Sequence, residues 1–404
     1  MMSNRFFRMG TLTLAAAALT LSSSAHAFQN SSTQEQKPPE QQQQEQKQEQ
    51  KQEQKTDAAQ DARTQEQKAA EQGQKAVEEP AGKKEEKAAQ DEKKDEKKEA
   101  MQQGTPVFWQ EPTDISSRNL LAGPGGDGMK PDLSRVVFVE APAEGGYSVK
   151  WRVRDGAGKT WVAKLGNEAQ PETAATRLVW AAGYPVEVTY LAPCVKIENA
   201  PKPPENKSIK RCEGNGFANV RFEARPDDQK RLENWSWDKN QFAGSKEFAG
   251  LVVLMAMVNN WDLKDTNNRV IYVPGADGAA GELRYIVSDL GATFGKTGNF
   301  ITHSRNEPKK YIKTGFVEKI EGGRVKFDYN GKKGSLFDNI TVEQAKWVGD
   351  LLSQLSEEQV KDAFRAANYS PEEVEGLAQE VLARINALHR LGAPAAADGT
   401  GQPQ

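Results

Sequence analysis

The chain has 404 residues, with 54 Lys and Arg against 57 Asp and Glu, and a formal net charge of −3. So even a balance gives no polyanion signal, which excludes nucleic acid as the expected partner. Two cysteines and three histidines, in no zinc-like spacing, leave no ligand set for a zinc centre.

Residues 1–27, "MMSNRFFRMGTLTLAAAALTLSSSAHA", combine Arg5 and Arg8, an apolar stretch and a small-residue "AHA" before Phe28. This pattern predicts a secretory signal peptide and an exported, periplasmic or secreted protein. The apolar stretch is too short to span a bilayer and no later run qualifies, so no membrane span is expected after cleavage. Residues 28–104 are almost all Gln, Glu, Lys, Ala and Asp, with three tandem copies of "QEQK" between Gln44 and Lys55. Having almost no apolar surface to bury, this segment is expected to be disordered with transient helix. The end of the chain, 393–404, reads as a second disordered tail.

Residues 105–392 carry nearly all the Trp, Phe, Tyr, Ile and Val, enough for one large domain or two lobes. "RVVFVEAP", "YSVKWRVRD" and "KTWVAKLG", separated by the turns "AEGG" and "GAG", predict a three-stranded antiparallel meander ending near Lys164. In "QPETAATRLVWAAGYP", Pro171 suits a first helical turn, and Ala175, Leu178, Val179 and Ala182 share a face before Gly183 stops the helix. Cys194 and Cys212 bracket a Pro- and Lys-rich stretch, and the pattern leaves a disulfide or two free thiols open. Trp235 and Trp237 suit a buried core better than a sugar-lining surface.

Further on, Phe248, Leu251, Val252, Met255 and Val258 form the core stripe of a helix. "RVIYV" and "LRYIVSD" predict a strand pair around a Gly-rich turn. Past Gly295 the chain reads as irregular and basic. Three capping boxes then mark three helix starts: Thr341 with Gln344, Ser356 with Gln359, and Ser370 with Glu373.

Four groups of polar residues can carry chemistry, each with a plain structural reading beside it. Lys164 ends a strand, as a snorkelling edge residue or as the partner of Glu172, which opens the next helix. Asp262, Lys264 and Asn267 stand in "NNWDLKDTNN", between helix and strand. They suit a hydrogen-bonded turn, or a base, a phosphate-contacting cation and a metal-binding amide. Asp289, in "VSDLGATFG", suits a strand-ending turn or a seat for Mg²⁺ and phosphate.

Taken in order, strand Lys, helix Glu, D-L-K-x-x-N, hairpin and D-x-G resemble the protein-kinase-like superfamily, in an atypical form, over most of 130–392. More narrowly, "NQFAGSKEFAGL", "NNWDLKDTNN" and "VSDLGATFG" are similar to a group of exported, largely uncharacterised bacterial proteins. The resemblance implies an α+β, two-lobed kinase-like fold, with a small antiparallel β-rich N-lobe at 105–200 and a mainly helical C-lobe at 201–392.

It also implies roles. Lys164 contacts the α- and β-phosphates of ATP and is held by Glu172; Asp262 accepts the acceptor's proton; Lys264 steadies the phosphoryl; Asn267 and Asp289 hold Mg²⁺. Asn260 and Trp261 stand where His-Arg is usual, and "EGGYSV" replaces a full glycine-rich loop. The implied activity is γ-phosphoryl transfer from a nucleotide to a hydroxyl of a protein or sugar. The alternatives are a non-catalytic kinase-like binding module and a structural envelope protein. No oligomeric state is specified by the pattern.

Overall fold

The computed structural model describes residues 96–392, apart from residues 98, 102, 143–146, 206–207, 277–278 and 299–301. The expected signal peptide, most of the Gln/Glu/Lys-rich segment, part of "EGGYSV" and the tail at 393–404 therefore lie outside the described residues. The expected boundary at 104 falls too late, however. Residues 99–101 are helical, Ala100 is buried and Met101 packs against the main core, because these two apolar side chains have a surface to cover.

The first strand, β1 (Gly104–Val107), does not join the meander that follows it. It pairs in parallel with Gly281–Val287, so the first described strand belongs to the lobe that also holds the last described helix. Phe108, Ile115 and Leu120 follow it into the same core.

Next come β2 (Val136–Glu140), β3 (Val149–Arg154) and β4 (Thr160–Leu165), the expected antiparallel meander. Helix α1 (Ala169–Ala181) follows, with Ala175, Leu178, Val179 and Ala182 buried and Gly183 at φ 91°. Then β5 (Thr189–Val195), β6 (Ile197–Glu198) and β7 (Phe217–Ala224) complete a six-stranded sheet in the order β5-β7-β4-β3-β2-β6. Two expectations are corrected here. The N-lobe does not end at 200, because β7 inserts between β4 and β5, and residues 105–129 belong largely to the other core. Nor is the sheet wholly antiparallel, since β6 runs parallel to β2. Cys194 and Cys212 form a disulfide that staples the connection from β5 to β7, which holds these strands together across a Pro-rich excursion.

Strand periodicity divides this sheet into two unlike faces. Trp151, Val153, Trp161, Ala163, Tyr190 and Phe222 build an apolar core on one side. Lys150, Arg152, Val162, Lys164, Arg221 and Glu223 line a cleft on the other.

In the C-lobe, β8 (Lys230–Arg231), β9 (Asn268–Val273) and β10 (Gly281–Val287) form a sheet in the order β1-β10-β9-β8. Helix α2 (Lys246–Met257) is capped by Ser245, whose hydroxyl accepts from the Phe248 N–H, and is buried around almost its whole circumference. Trp235 and Trp237 are core residues; the Trp235 indole donates to the Ile286 carbonyl at 2.8 Å.

A short α3 (Pro308–Tyr311) precedes a hairpin, β11 (Val317–Glu321) and β12 (Arg324–Phe327), in the region expected to be irregular. The exposed residues of its strands are charged apart from Ile320, and Val325 and Phe327 alone carry β12 into the core. Helices α4 (Val342–Leu352), α5 (Glu357–Arg365) and α6 (Pro371–His389) each start on the expected capping box, with both reciprocal hydrogen bonds formed. Among the described residues no helix is long and apolar enough to cross a membrane.

Candidate functional site

The ionic face of the six-stranded sheet looks onto the catalytic-type loops of the C-lobe across a cleft of about 710 Å³. Lys164, Glu172, Asp262, Lys264, Asn267 and Asp289 all line it, so every expected site residue is brought to one place. Neither cysteine lines the cleft.

Lys164 is 1% exposed and surrounded by acids. Its Nζ lies 2.7 Å from Glu172 Oε2, 3.1 Å from Glu168 Oε2 and 3.1 Å from Asp289 Oδ1. An ammonium has three N–H donors, so each has a carboxylate oxygen to meet. Burial opposes the charge, but Asp289, Glu172 and Glu168 together hold the lysine above its ordinary pKa.

Glu172 is shared. Arg221 Nη2 approaches its other oxygen at 2.7 Å and also reaches Glu223 at 2.8 Å. Burial pushes the Glu172 carboxyl up to about 7 against the opposing pull of Arg221 and Lys164. Glu168 is tied as firmly: Ser148 donates to it at 2.6 Å, and Arg305 pairs with it. Arg305 also lies over the rings of Tyr147, at 3.9 Å, and Trp261, at 4.8 Å, bridging the lobes.

Asp289 follows the end of β10. Burial acts to raise its carboxyl, but Lys164, Lys150 and the Gly291 N–H overcome this and hold it well below the usual carboxylate range. Gly291 is required by proximity, since a Cβ there would sit 2.7 Å from the Cβ of Glu168 at the start of α1. This glycine lets the Asp289 turn approach the N-lobe helix.

The asparagine-rich loop after α2 divides its labour. Asn259, at φ 53°, donates to the Gly295 carbonyl and the Thr314 hydroxyl, both at 2.9 Å, and accepts from Arg384 at 3.0 Å. It anchors the loop rather than the ligand. Asn267 Nδ2 donates to the Asp262 carbonyl at 2.7 Å, and its own carbonyl accepts from the Ser288 and Asp289 N–H groups at 2.8 and 3.1 Å. The loop after α2 and the turn after β10 are thus locked together through one residue.

Asp262 Oδ2 lies 3.0 Å from Lys264 Nζ. Its Oδ1 is buried, accepts no hydrogen bond among the described residues and lies 3.4 Å from Lys332 Nζ. Mg²⁺ takes one or two protein oxygen ligands plus phosphate oxygens. The Asp289 carboxylate and the amide oxygen of Asn267, whose NH₂ is spent on Asp262, fit that donor chemistry.

Sequence reasoning missed Glu168, Arg221, Arg305 and Lys332. Glu168 gave little local signal, since it stands in the turn between β4 and α1 and meets Lys164 only because the chain reverses there. Arg221 and Glu223 alternate with apolar residues in "FANVRFEA", the mark of a two-faced strand. Arg305 reaches the cleft, and Lys332 reaches Asp262, only through tertiary folding.

A sheet-rich lobe and a helical lobe, with a strand lysine, a helix glutamate, a D-L-K-x-x-N loop and a D-x-G turn converging between them, form the arrangement that the resemblance to the protein-kinase-like superfamily implied. No protein-family model matches the chain, and no curated protein matches it.

Among solved structures, it is similar to the proinflammatory kinase CtkA of Helicobacter pylori, at 11% identity over 64% of this chain and 97% of that one, with a TM-score of 0.39. It is also similar to the Golgi casein kinase with Mn/ADP bound, at 10% identity over 65% and 74%, TM-score 0.35. A third is the Rio2 kinase of Chaetomium thermophilum, at 11% identity over 63% and 72%, TM-score 0.26.

Proposed function

We propose that the protein is an exported phosphotransferase that moves the γ-phosphoryl of ATP to a hydroxyl of a protein or sugar acceptor. The observation that carries this reading is the meeting of Asp262, Asn267 and Asp289 with the Lys164–Glu172 pair in one interlobe cleft. Export rests on the pattern of residues 1–27.

Asn267 and Asp289 are the residues to hold Mg²⁺, which when bound neutralises phosphate charge. Asp262, which lines the cleft, receives the acceptor's proton on its carboxylate. Lys264, beside Oδ2, holds the carboxylate in place and offers positive charge to the phosphoryl. Lys164 is the hub that fixes Glu172, Glu168 and Asp289 relative to one another.

Two substitutions test the division of roles. Asp289→Ala should weaken Mg²⁺-dependent ATP binding by tenfold or more (about 1.4 kcal/mol), read by titration calorimetry. Asp262→Ala should spare ATP binding and abolish radiolabel transfer, with circular dichroism unchanged for both. If both variants bind ATP as the parent does, the cleft is not a nucleotide site and the reading fails.

A further inference from the structure

Lys164 has no hydrogen-bonding capacity to spare, since three carboxylates from Glu168, Glu172 and Asp289 surround its three N–H groups. Directly across the β3–β4 ladder, its register partner is another lysine, Lys150. The neighbouring Trp151 enters the apolar core on the opposite face, so Lys150 faces the cleft beside Lys164 and lines it. Lys150 is half-buried, and its ammonium has no hydrogen bond or ion pair among the described residues. Its field nonetheless reaches Asp289, where it is among the influences that favour the ionised carboxylate.

Like charges opposite one another on paired strands are destabilising. Three acids pair directly with Lys164 and none pairs directly with Lys150 among the described residues, which leaves the Lys150 ammonium in the cleft within the field of Asp289. A flexible ammonium of this kind suits phosphate, which it contacts as a point charge.

From this rung of the sheet we infer that Lys150 is the direct phosphate-binding lysine of the cleft, and that Lys164 serves as a positioning residue for the carboxylates around it. The ligand class is a di- or triphosphate chain, whether part of a nucleotide or inorganic. The inference rests on the phosphotransferase reading for its nucleotide form, and the experiment separates the two.

The purified protein, its Lys150→Ala variant and its Lys150→Arg variant are titrated calorimetrically with ATP and Mg²⁺, inorganic tripolyphosphate and Mg²⁺, and adenosine. Lys150→Ala should weaken ATP and tripolyphosphate about tenfold or more, as expected for losing a charge-assisted contact. Adenosine binding should be unchanged, and Lys150→Arg should restore part of the loss. The melting temperature of Lys150→Ala should match the parent, since the side chain leaves no partner behind; a fall would mark a structural lysine and overturn the inference.

If the parent binds ATP and Lys150→Ala binds it within about twofold, the inference is overturned while the phosphotransferase reading stands, a difference too small for a lost charged contact. A parent that binds tripolyphosphate through Lys150 but not ATP supports the phosphate site and removes the nucleotide reading. A parent that binds neither phosphate probe overturns both.

Discussion

On β4, Trp161 and Ala163 point to one side of the sheet while Val162 and Lys164 point to the other. The same backbone serves a packed aromatic core, where Trp161 meets Phe222 and Tyr190 edge-on, and an ion network running from Ser148 through Glu168, Lys164 and Glu172 to Arg221. The apolar face draws its stability from many small, interchangeable contacts. On the ionic face each charge is acceptable only because its neighbours are charged, so stability there depends on an intact set. The first face holds the lobe together; the second stores aligned charge where a ligand can meet it.

Breaking either face at its centre should give the largest effects. Trp161→Ala removes a buried indole and its hydrogen bond to Asp155, and should cost about 3–5 kcal/mol in denaturant unfolding. Glu172→Ala should cost a similar amount, about 3–5 kcal/mol, because it strands Lys164 and Arg221 with fewer acids in a buried site. The two should differ in rescue. Trp161→Phe should recover much of the packing, whereas Glu172→Gln should recover the shape but not the charge balance. Equal recovery by both would erase the distinction drawn here.

Removing the disulfide tests the sheet at its edge, where both faces share β5 and β7. Replacing Cys194 and Cys212 by Ser should lower stability by about 3 kcal/mol, the scale for a loop of this length, without altering ATP binding. Loss of binding would show that the staple also shapes the cleft.

The acids of the ionic face should respond to pH in opposite senses, and the apolar face not at all. Glu172, raised from 4.5 to about 7, contributes stability that is fully present below pH 4.5 and is lost as the pH rises through 7. Asp289, held below its ordinary 3.8, contributes stability that is present above that pH and is lost as the pH falls. Melting curves should therefore show Glu172→Gln flattening the neutral limb and Asp289→Asn the acid limb, each by roughly 1–3 kcal/mol. The smallest effect belongs to a control outside both faces. Ser370→Ala, which opens the capping box of α6, should cost about 1 kcal/mol and leave ligand binding untouched.

What the sequence made legible follows the range of the interactions involved. The meander, α1 and the three capping boxes depend on signals within a few residues, and they lie where periodicity and caps place them. Asp262, Asn267 and Asp289 were readable through the resemblance, from the joint order of the polar residues along the chain and not from any one of them. By contrast, β1 is four residues long and acquires its meaning only beside β10. β7 carried a local signal in the alternation of Arg221 and Glu223 with apolar residues, but its place between β4 and β5 is set by pairing across the sheet. Lys150 looked like any strand lysine until the register set it opposite Lys164.

The parallel pairing of β1 with β10 has a kinetic consequence. β1 is synthesised before every strand of both sheets, yet its partner emerges only after the whole N-lobe has left the ribosome, roughly ten seconds later at ordinary elongation rates. During that interval the N-lobe sheet has all its own strands and can close, while the short strand ahead of it waits. Completion of the C-lobe is then a long-range ring closure, the kind of step that slows folding. Refolding of the whole chain should show a fast phase from the inserted lobe and a slower one as its first strand finds its place.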